Sequence, residues 1–125
     1  MARILLVEDD SHVQLLLEHV LRGEDHDVDT ASTVEQARSR LQQRRYDLVV
    51  TDGKLPDGTG MMVGDMATAA DTKTLIITGF ALQLPGDELR RFDYLLKPVR
   101  PAELLRAINR KLASNSPPAA APNGY

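Results

Sequence analysis

Apolar positions along this chain follow two alternating rhythms. Short runs rich in β-branched residues and leucine stand at Ile4 to Val7, Asp27 to Ala31, Leu48 to Thr51, Thr74 to Thr78 and Tyr94 to Leu96. Runs of this length and type predict strands. Between them the spacing becomes helical. In Ser11 to Leu21 the residues Val13, Leu16, Leu17, Val20 and Leu21 are expected on one face, with Asp10 or Ser11 capping the N-terminus. Val34, Ala37 and Leu41 mark a second helix. A third starts near Gly60 and carries Met61, Met62 and Met66 as core filler, with Gly64 weakening its helical pattern. The last helix, Pro101 to Leu112, opens on a proline suited to a first turn and turns Leu104, Leu105, Ile108 and Leu112 inward. Arg106, Arg110 and Lys111 lie toward its C-terminal end, where the helix dipole favours cations. Strands that alternate with helices predict an α/β domain around a parallel sheet.

Residues 80–92 fit this scheme less well, because Pro85 and Gly86 interrupt them. Asp87 to Arg91 could form one or two helical turns, so a short fourth helix is expected there. After Ala113 the sequence SNSPPAAAPNGY loses apolar periodicity and is expected to be a flexible tail. The resulting division is a domain over 1–113 and a tail over 114–125. A chain of 125 residues suits one domain with a core able to fold alone. With no cysteine there is neither a disulfide nor a thiolate metal site. No apolar run has the length of a signal-peptide core or a membrane span, so a cytoplasmic protein without membrane contact is expected. A net charge of −3 with both signs dispersed does not build a field for nucleic acid phosphates, and direct nucleic acid binding is not expected.

In open parallel sheets, ligands gather beyond the carboxyl ends of the strands. Glu8, Asp9 and Asp10 follow the first predicted strand, and Asp52 follows the third inside VVTDGKLPDGTG. Carboxylates this close repel one another unless a cation or a proton intervenes. Oxygen ligands without histidine or cysteine favour a hard ion such as magnesium. Each acid also has a plainer use: Asp9, Asp10 and Ser11 can cap a helix, and Asp52 can start a turn. Thr78 and Lys97, at the ends of the fourth and fifth predicted strands, add a hydroxyl and an ammonium to the same rim.

Through EDD at 8 to 10, DGKLPDGTG at 52 to 60, TG at 78 and 79 and KP at 97 and 98, the chain resembles the receiver domain of two-component response regulators. The resemblance spans Arg3 to about Leu112. It implies a flavodoxin-like (CheY-like) doubly wound five-stranded parallel sheet in the order 2-1-3-4-5. It also implies that Asp52 accepts a phosphoryl group from a histidine kinase or a histidine phosphotransfer protein. Mg2+ would be held by Glu8, Asp9, Asp52 and the backbone carbonyl of Lys54, with Asp9 and Asp52 as direct ligands. Lys97, preceding a proline that is often cis in the family, would pair with a phosphoryl oxygen, and Thr78 would donate its hydroxyl to another. Tyr94 matches the family's aromatic switch, which turns inward when the threonine moves. Such a protein is a signalling receiver whose only chemistry is its own phosphorylation and dephosphorylation.

The chain departs from the family after Asp52. The intervals from Asp52 to Thr78 and from Thr78 to Lys97 are each shorter than usual by roughly one helical turn of about four residues. The third and fourth helices are therefore expected to be abbreviated, and the usual dimer surface does not carry over. Lys54, two positions after the acceptor, could tune phosphoryl lifetime or be a solvated loop lysine. Leu15, with His12 and His19 at neighbouring spacing, is expected on the outer side of the first helix, either as a docking stripe or as scattered surface residues. A stand-alone receiver acting through protein contacts is the leading expectation. The alternative is the receiver portion of a longer transcription factor or hybrid histidine kinase. An aspartyl phosphatase would need a DxD signature at the first strand, and a flavin protein a glycine- or hydroxyl-rich phosphate loop; acids stand there instead.

Overall fold

The computed structural model describes residues 1–79 and 92–113. The strands are β1 (Arg3–Val7), β2 (Asp27–Ala31), β3 (Leu48–Asp52), β4 (Lys54–Leu55), β5 (Gly58–Thr59), β6 (Lys73–Thr78) and β7 (Asp93–Leu96). The helices are α1 (Ser11–Gly23), α2 (Val34–Gln43), α3 (Gly60–Ala69) and, numbered in order among the described residues, α4 (Pro101–Ala113). The short helix expected at Asp87 to Arg91 and the expected tail lie outside the described residues.

Five strands pair in the order β2-β1-β3-β6-β7, with every pairing parallel. Counting main-sheet strands alone, this is the 2-1-3-4-5 order expected from the sequence. The chain runs outward from β1 in one direction and then in the other, so a cleft opens beyond the carboxyl ends of β1 and β3. Ile4, Leu6, Leu48, Val50, Leu75 and Ile77 turn to one face of the sheet, where Leu17 and Leu21 of α1 and Leu104 and Ile108 of α4 cover them. Leu5, Val7 and Val49 turn to the other face, beneath Val34 and Ala37 of α2 and Val63 and Ala67 of α3. This alternation leaves both faces of the central strands buried, which is why they read as continuous apolar runs.

Two helical faces differ from expectation. Leu16 is 57% exposed. The buried stripe of α1 is centred on Leu17 and Leu21, with Val13 packed beside them. At 100° per residue, Leu16 falls beyond the edge of that stripe. Of the α3 methionines, Met61 is buried and Met66 packs partly against the core, whereas Met62 faces outward toward the β4–β5 hairpin. Gly64 has a packing reason: a Cβ there would lie 2.7 Å from the ring of Phe92, which is buried with Met61 and Ile76. α3 spans ten residues against thirteen for α1.

The outer strand β2 carries paired charges. Asp27 pairs with Arg3 and Arg44, and Asp29 accepts from Arg44 at 2.9 Å and from the Tyr46 hydroxyl at 2.6 Å. Burial opposes ionisation of Asp29, but Tyr46 and Arg44 outweigh it and hold the carboxyl below its usual range. Among the described residues, no helix is long and apolar enough to cross a membrane.

Candidate functional site

β1 delivers Glu8 to the cleft as the first residue beyond the strand. Its backbone is fixed on both sides: its N–H donates to Ala31 at 2.9 Å, and its carbonyl accepts from the Gln14 side chain at 2.8 Å. Asp10 then serves as the N-cap of α1, accepting from the N–H groups of His12 and Val13 at 2.9 and 3.1 Å. Those two bonds hold its carboxyl below the usual range. The Asp10 N–H in turn donates to Glu8 Oε2 at 3.1 Å. Capping and site-building are thus joined: the turn that starts α1 also aims the glutamate.

Glu8, Asp9 and Asp52 each place a carboxylate oxygen within 4.8 Å of the other two. Glu8 is only 3% exposed, Asp52 is half-buried and Asp9 faces solvent. Lys97 reaches this group from the end of β7. Its Nζ lies 3.2 Å from Asp52 Oδ1 and 3.3 Å from Glu8 Oε1. Burial pushes the Glu8 carboxyl up and the Asp52 charge adds to it, while the Asp10 N–H and Lys97 work in the opposite direction. Burial disfavours the charged ammonium of Lys97, yet Asp52 and Glu8 together hold its pKa above the ordinary value. Three oxygen donors from carboxylates, one of them open to solvent, fit a hard divalent cation such as magnesium better than a soft one.

Thr78 is the last residue of β6 and is buried at 1% exposure. Its carbonyl accepts the Lys97 N–H at 3.0 Å, so the two rim residues are joined through their backbones. The Lys97–Pro98 peptide is cis. Thr78 packs over Gly53, where a Cβ would lie 2.6 Å from both its Cβ and its Oγ1. Tyr94 stands opposite Ile76 on β7 with its side chain largely open. Glu8, Asp9, Asp52, Thr78 and Lys97 therefore meet at one end of the sheet. Lys54 opens β4 with its side chain exposed. His12, Leu15 and His19 do not join the cluster; all three are exposed along α1, Leu15 at 67%.

Two residues that sequence reasoning passed over also shape this site. Gly53 makes room for Thr78. Asp57, at the tip of the β4–β5 hairpin, accepts from the N–H groups of Val34 and Glu35 at 2.7 and 3.1 Å. The hairpin itself had a signal in Leu55-Pro56-Asp57-Gly58, since Pro-Asp-Gly is a turn sequence. The long-range partner of Asp57 had none.

The response regulator receiver domain model matches residues 4–109. The DNA-binding response regulator MtrA of Mycolicibacterium paratuberculosis is 32% identical over 117 residues, which cover 90% of this chain and 52% of that protein. The phosphate regulon transcriptional regulatory protein PhoB of Rhizobium meliloti is 30% identical over 124 residues, covering 92% and 54% respectively. The chain thus spans about half the length of these curated relatives. Among solved structures, the receiver domain of the sensor histidine kinase PA1611 of Pseudomonas aeruginosa, with a magnesium ion coordinated in its active site cleft, superposes with a TM-score of 0.79. It shares 32% identity, and the match covers 90% of this chain and 98% of that one. TrrA of Thermotoga maritima, in complex with Mg(2+)-BeF, gives a TM-score of 0.81 at 27% identity, with 90% and 100% coverage. Sheet order, the acid cluster at its carboxyl end and these matches lead to one conclusion: the chain belongs to the response regulator receiver domain family.

Proposed function

We propose that Asp52 is the phosphoryl acceptor of this receiver and that a histidine kinase or histidine phosphotransfer protein is the donor. The observation that carries this reading is the convergence of Glu8, Asp9, Asp52 and Lys97 at the carboxyl end of β3, with Asp52 half-buried and 3.2 Å from the Lys97 ammonium. In the transfer, an Asp52 carboxylate oxygen forms a bond to phosphorus. The bond from phosphorus to the donor's imidazole nitrogen breaks, and its electron pair stays on that nitrogen. Glu8, Asp9, Asp52 and the Lys54 backbone carbonyl would hold Mg2+, which would supply the positive charge that lets an anionic phosphoryl group approach three acids. Lys97 orients the group as a compact cation. Thr78 donates its hydroxyl to a phosphoryl oxygen and draws its strand end inward, and Tyr94, now largely open, follows it. That change is a population shift driven by contacts that exist only in the phosphorylated state. Lys54, two positions after the acceptor, tunes the lifetime of the product. The stripe of His12, Leu15 and His19 is the docking face for the donor, in a cytoplasmic setting.

A stand-alone receiver and the receiver portion of a longer regulator use the same chemistry. The second reading has support from the curated relatives, which are about twice as long and include DNA-binding regulators. The test is incubation with magnesium and a small phosphodonor, followed by peptide mass analysis. The mass of one phosphoryl group is expected on the peptide containing Asp52 and absent from Asp52→Asn. Full labelling of Asp52→Asn would overturn the assignment.

A further inference from the structure

The segment between Gly53 and Gly60 is closed at every level. At its base the Gly60 N–H donates to the Gly53 carbonyl at 3.0 Å, and the Gly53 N–H donates to Ile77 at 2.9 Å. Above that, Lys54 pairs with Thr59 and Leu55 with Gly58 in an antiparallel ladder. Leu55 is buried in the core under α2 and α3. Gly58 sits close against both helices, where a Cβ would lie 2.7 Å from the Met62 sulfur and 3.0 Å from Val34 Cγ2. The tip is tied as well, by the two bonds from the Asp57 carboxylate to Val34 and Glu35. These bonds cross 23 and 22 residues of sequence. They join the segment that directly follows Asp52 to α2, which carries none of Glu8, Asp9, Asp52, Thr78 and Lys97.

α2 has its own cap in Thr33, whose hydroxyl accepts the Gln36 N–H at 3.0 Å, and Ala37 donates to the Thr33 carbonyl. Val34 and Glu35 are the first-turn donors that this local cap does not reach. Asp57 supplies the two oxygens they need. The carboxylate thereby completes the helix terminus, and the helix terminus fixes the hairpin.

We infer that Asp57 is a positioning residue for the cation pocket: its two bonds to α2 hold the hairpin, and with it the Lys54 backbone carbonyl, in place before an ion arrives. This inference rests on the reading of Glu8, Asp9, Asp52 and Lys54 as the ion's ligands. The physical reason is conformational entropy. With only a two-residue ladder and its tip untied, the hairpin keeps local freedom above its buried base, and ordering that remainder during binding subtracts from affinity. Latched to α2, it presents its carbonyl without that cost. Asp57 touches neither ion nor phosphoryl group and acts through the backbone it anchors, as outer partners of metal ligands do.

The experiment compares the full chain with Asp57→Ala and Thr33→Ala by magnesium titration calorimetry and by thermal melting followed by circular dichroism. Thr33→Ala removes a bond from the same helix end without touching the hairpin, so it reports generic loosening of α2. Asp57→Ala is expected to bind magnesium about ten-fold more weakly than wild type, the low end for such outer partners. Thr33→Ala is expected to melt earlier while keeping wild-type affinity. Asp57→Asn retains one acceptor oxygen; it carries the test if the alanine variant does not fold, and its affinity is expected between the two. Wild-type affinity in a folded Asp57 variant would overturn the inference, as would an equal loss in Thr33→Ala. No binding by the wild-type chain would overturn the cation pocket itself, and this inference with it.

Discussion

Gly53→Ala places a single methyl group against the Thr78 side chain. A Cβ at that position lies 2.6 Å from Thr78 Cβ and Oγ1, against the 3.0–3.4 Å at which even tight contacts are found, so Thr78 must retreat by about 0.4–0.8 Å. A hydroxyl could rotate away, but Thr78 Cβ is attached to the backbone of β6, which is paired on both sides by β3 and β7. The strand end has to move. Overpacking of this kind costs about 1–3 kcal/mol. Replacing glycine also restricts the unfolded chain, which stabilises by about 0.4–1 kcal/mol where the native backbone accepts alanine. The net expectation is a loss of about 1–2 kcal/mol, or a fall of roughly 1 M in the urea midpoint at a slope of about 1.5 kcal/mol per molar. Urea titration followed by circular dichroism measures it, and labelling by a small phosphodonor reports the functional consequence. Phosphorylation should weaken because Thr78 has been pushed out of reach of a group on Asp52. A Gly53→Ala variant as stable as wild type and labelled to the same extent would refute the argument that residue 53 is glycine for the sake of Thr78.

Lys97→Ala removes the ammonium that lies between Glu8 and Asp52, so magnesium should bind more tightly, by several-fold in titration calorimetry, even as phosphoryl transfer slows; weaker binding would show that Lys97 does not compete for those oxygens. Gly64→Ala should destabilise the domain by about 1 kcal/mol, because the clash with Phe92 exceeds the gain of about 1 kcal/mol that alanine brings to a helix interior; a rise in melting temperature would contradict this. Asp29 has a folded pKa below its unfolded value of 3.8, so the unfolded chain binds its proton first as pH falls. The stability it contributes is complete above 3.8 and disappears as pH drops through the folded value. Wild type should therefore melt above Asp29→Asn at neutral pH, with the gap closing under acid conditions. A pH-independent gap would remove the charge from the explanation.

The strands of the main sheet and the four described helices were legible because their signals are local. β3 needs only Leu48 to Thr51 and the acid that ends it, and α4 needs only its proline and its four inward residues. The cleft was legible for a similar reason, since Glu8, Asp9, Asp52, Thr78 and Lys97 all stand at strand ends or just beyond them, and parallel strands bring their carboxyl ends together. Leu16 was misplaced because a stripe's edge depends on what lies beneath it, and the sequence of α1 does not say how far β1 and α4 extend. The roles of Gly53, Gly64 and Asp57 were illegible for a deeper reason. Each is defined by one distant neighbour, Thr78, Phe92 or the first turn of α2, and spacing along the chain carries no trace of such a meeting.

The aspartates of β2 have a consequence for the company this domain keeps. An open strand at the margin of a sheet invites another chain to continue the ladder, and here the outermost strand carries Asp27 and Asp29 with Arg3, Arg44 and Tyr46 locked onto them. A newcomer would have to lay its own side chains beside two ion-paired carboxylates. Sheet extension from this side is thereby discouraged, which protects a small domain at high concentration from stacking into fibres.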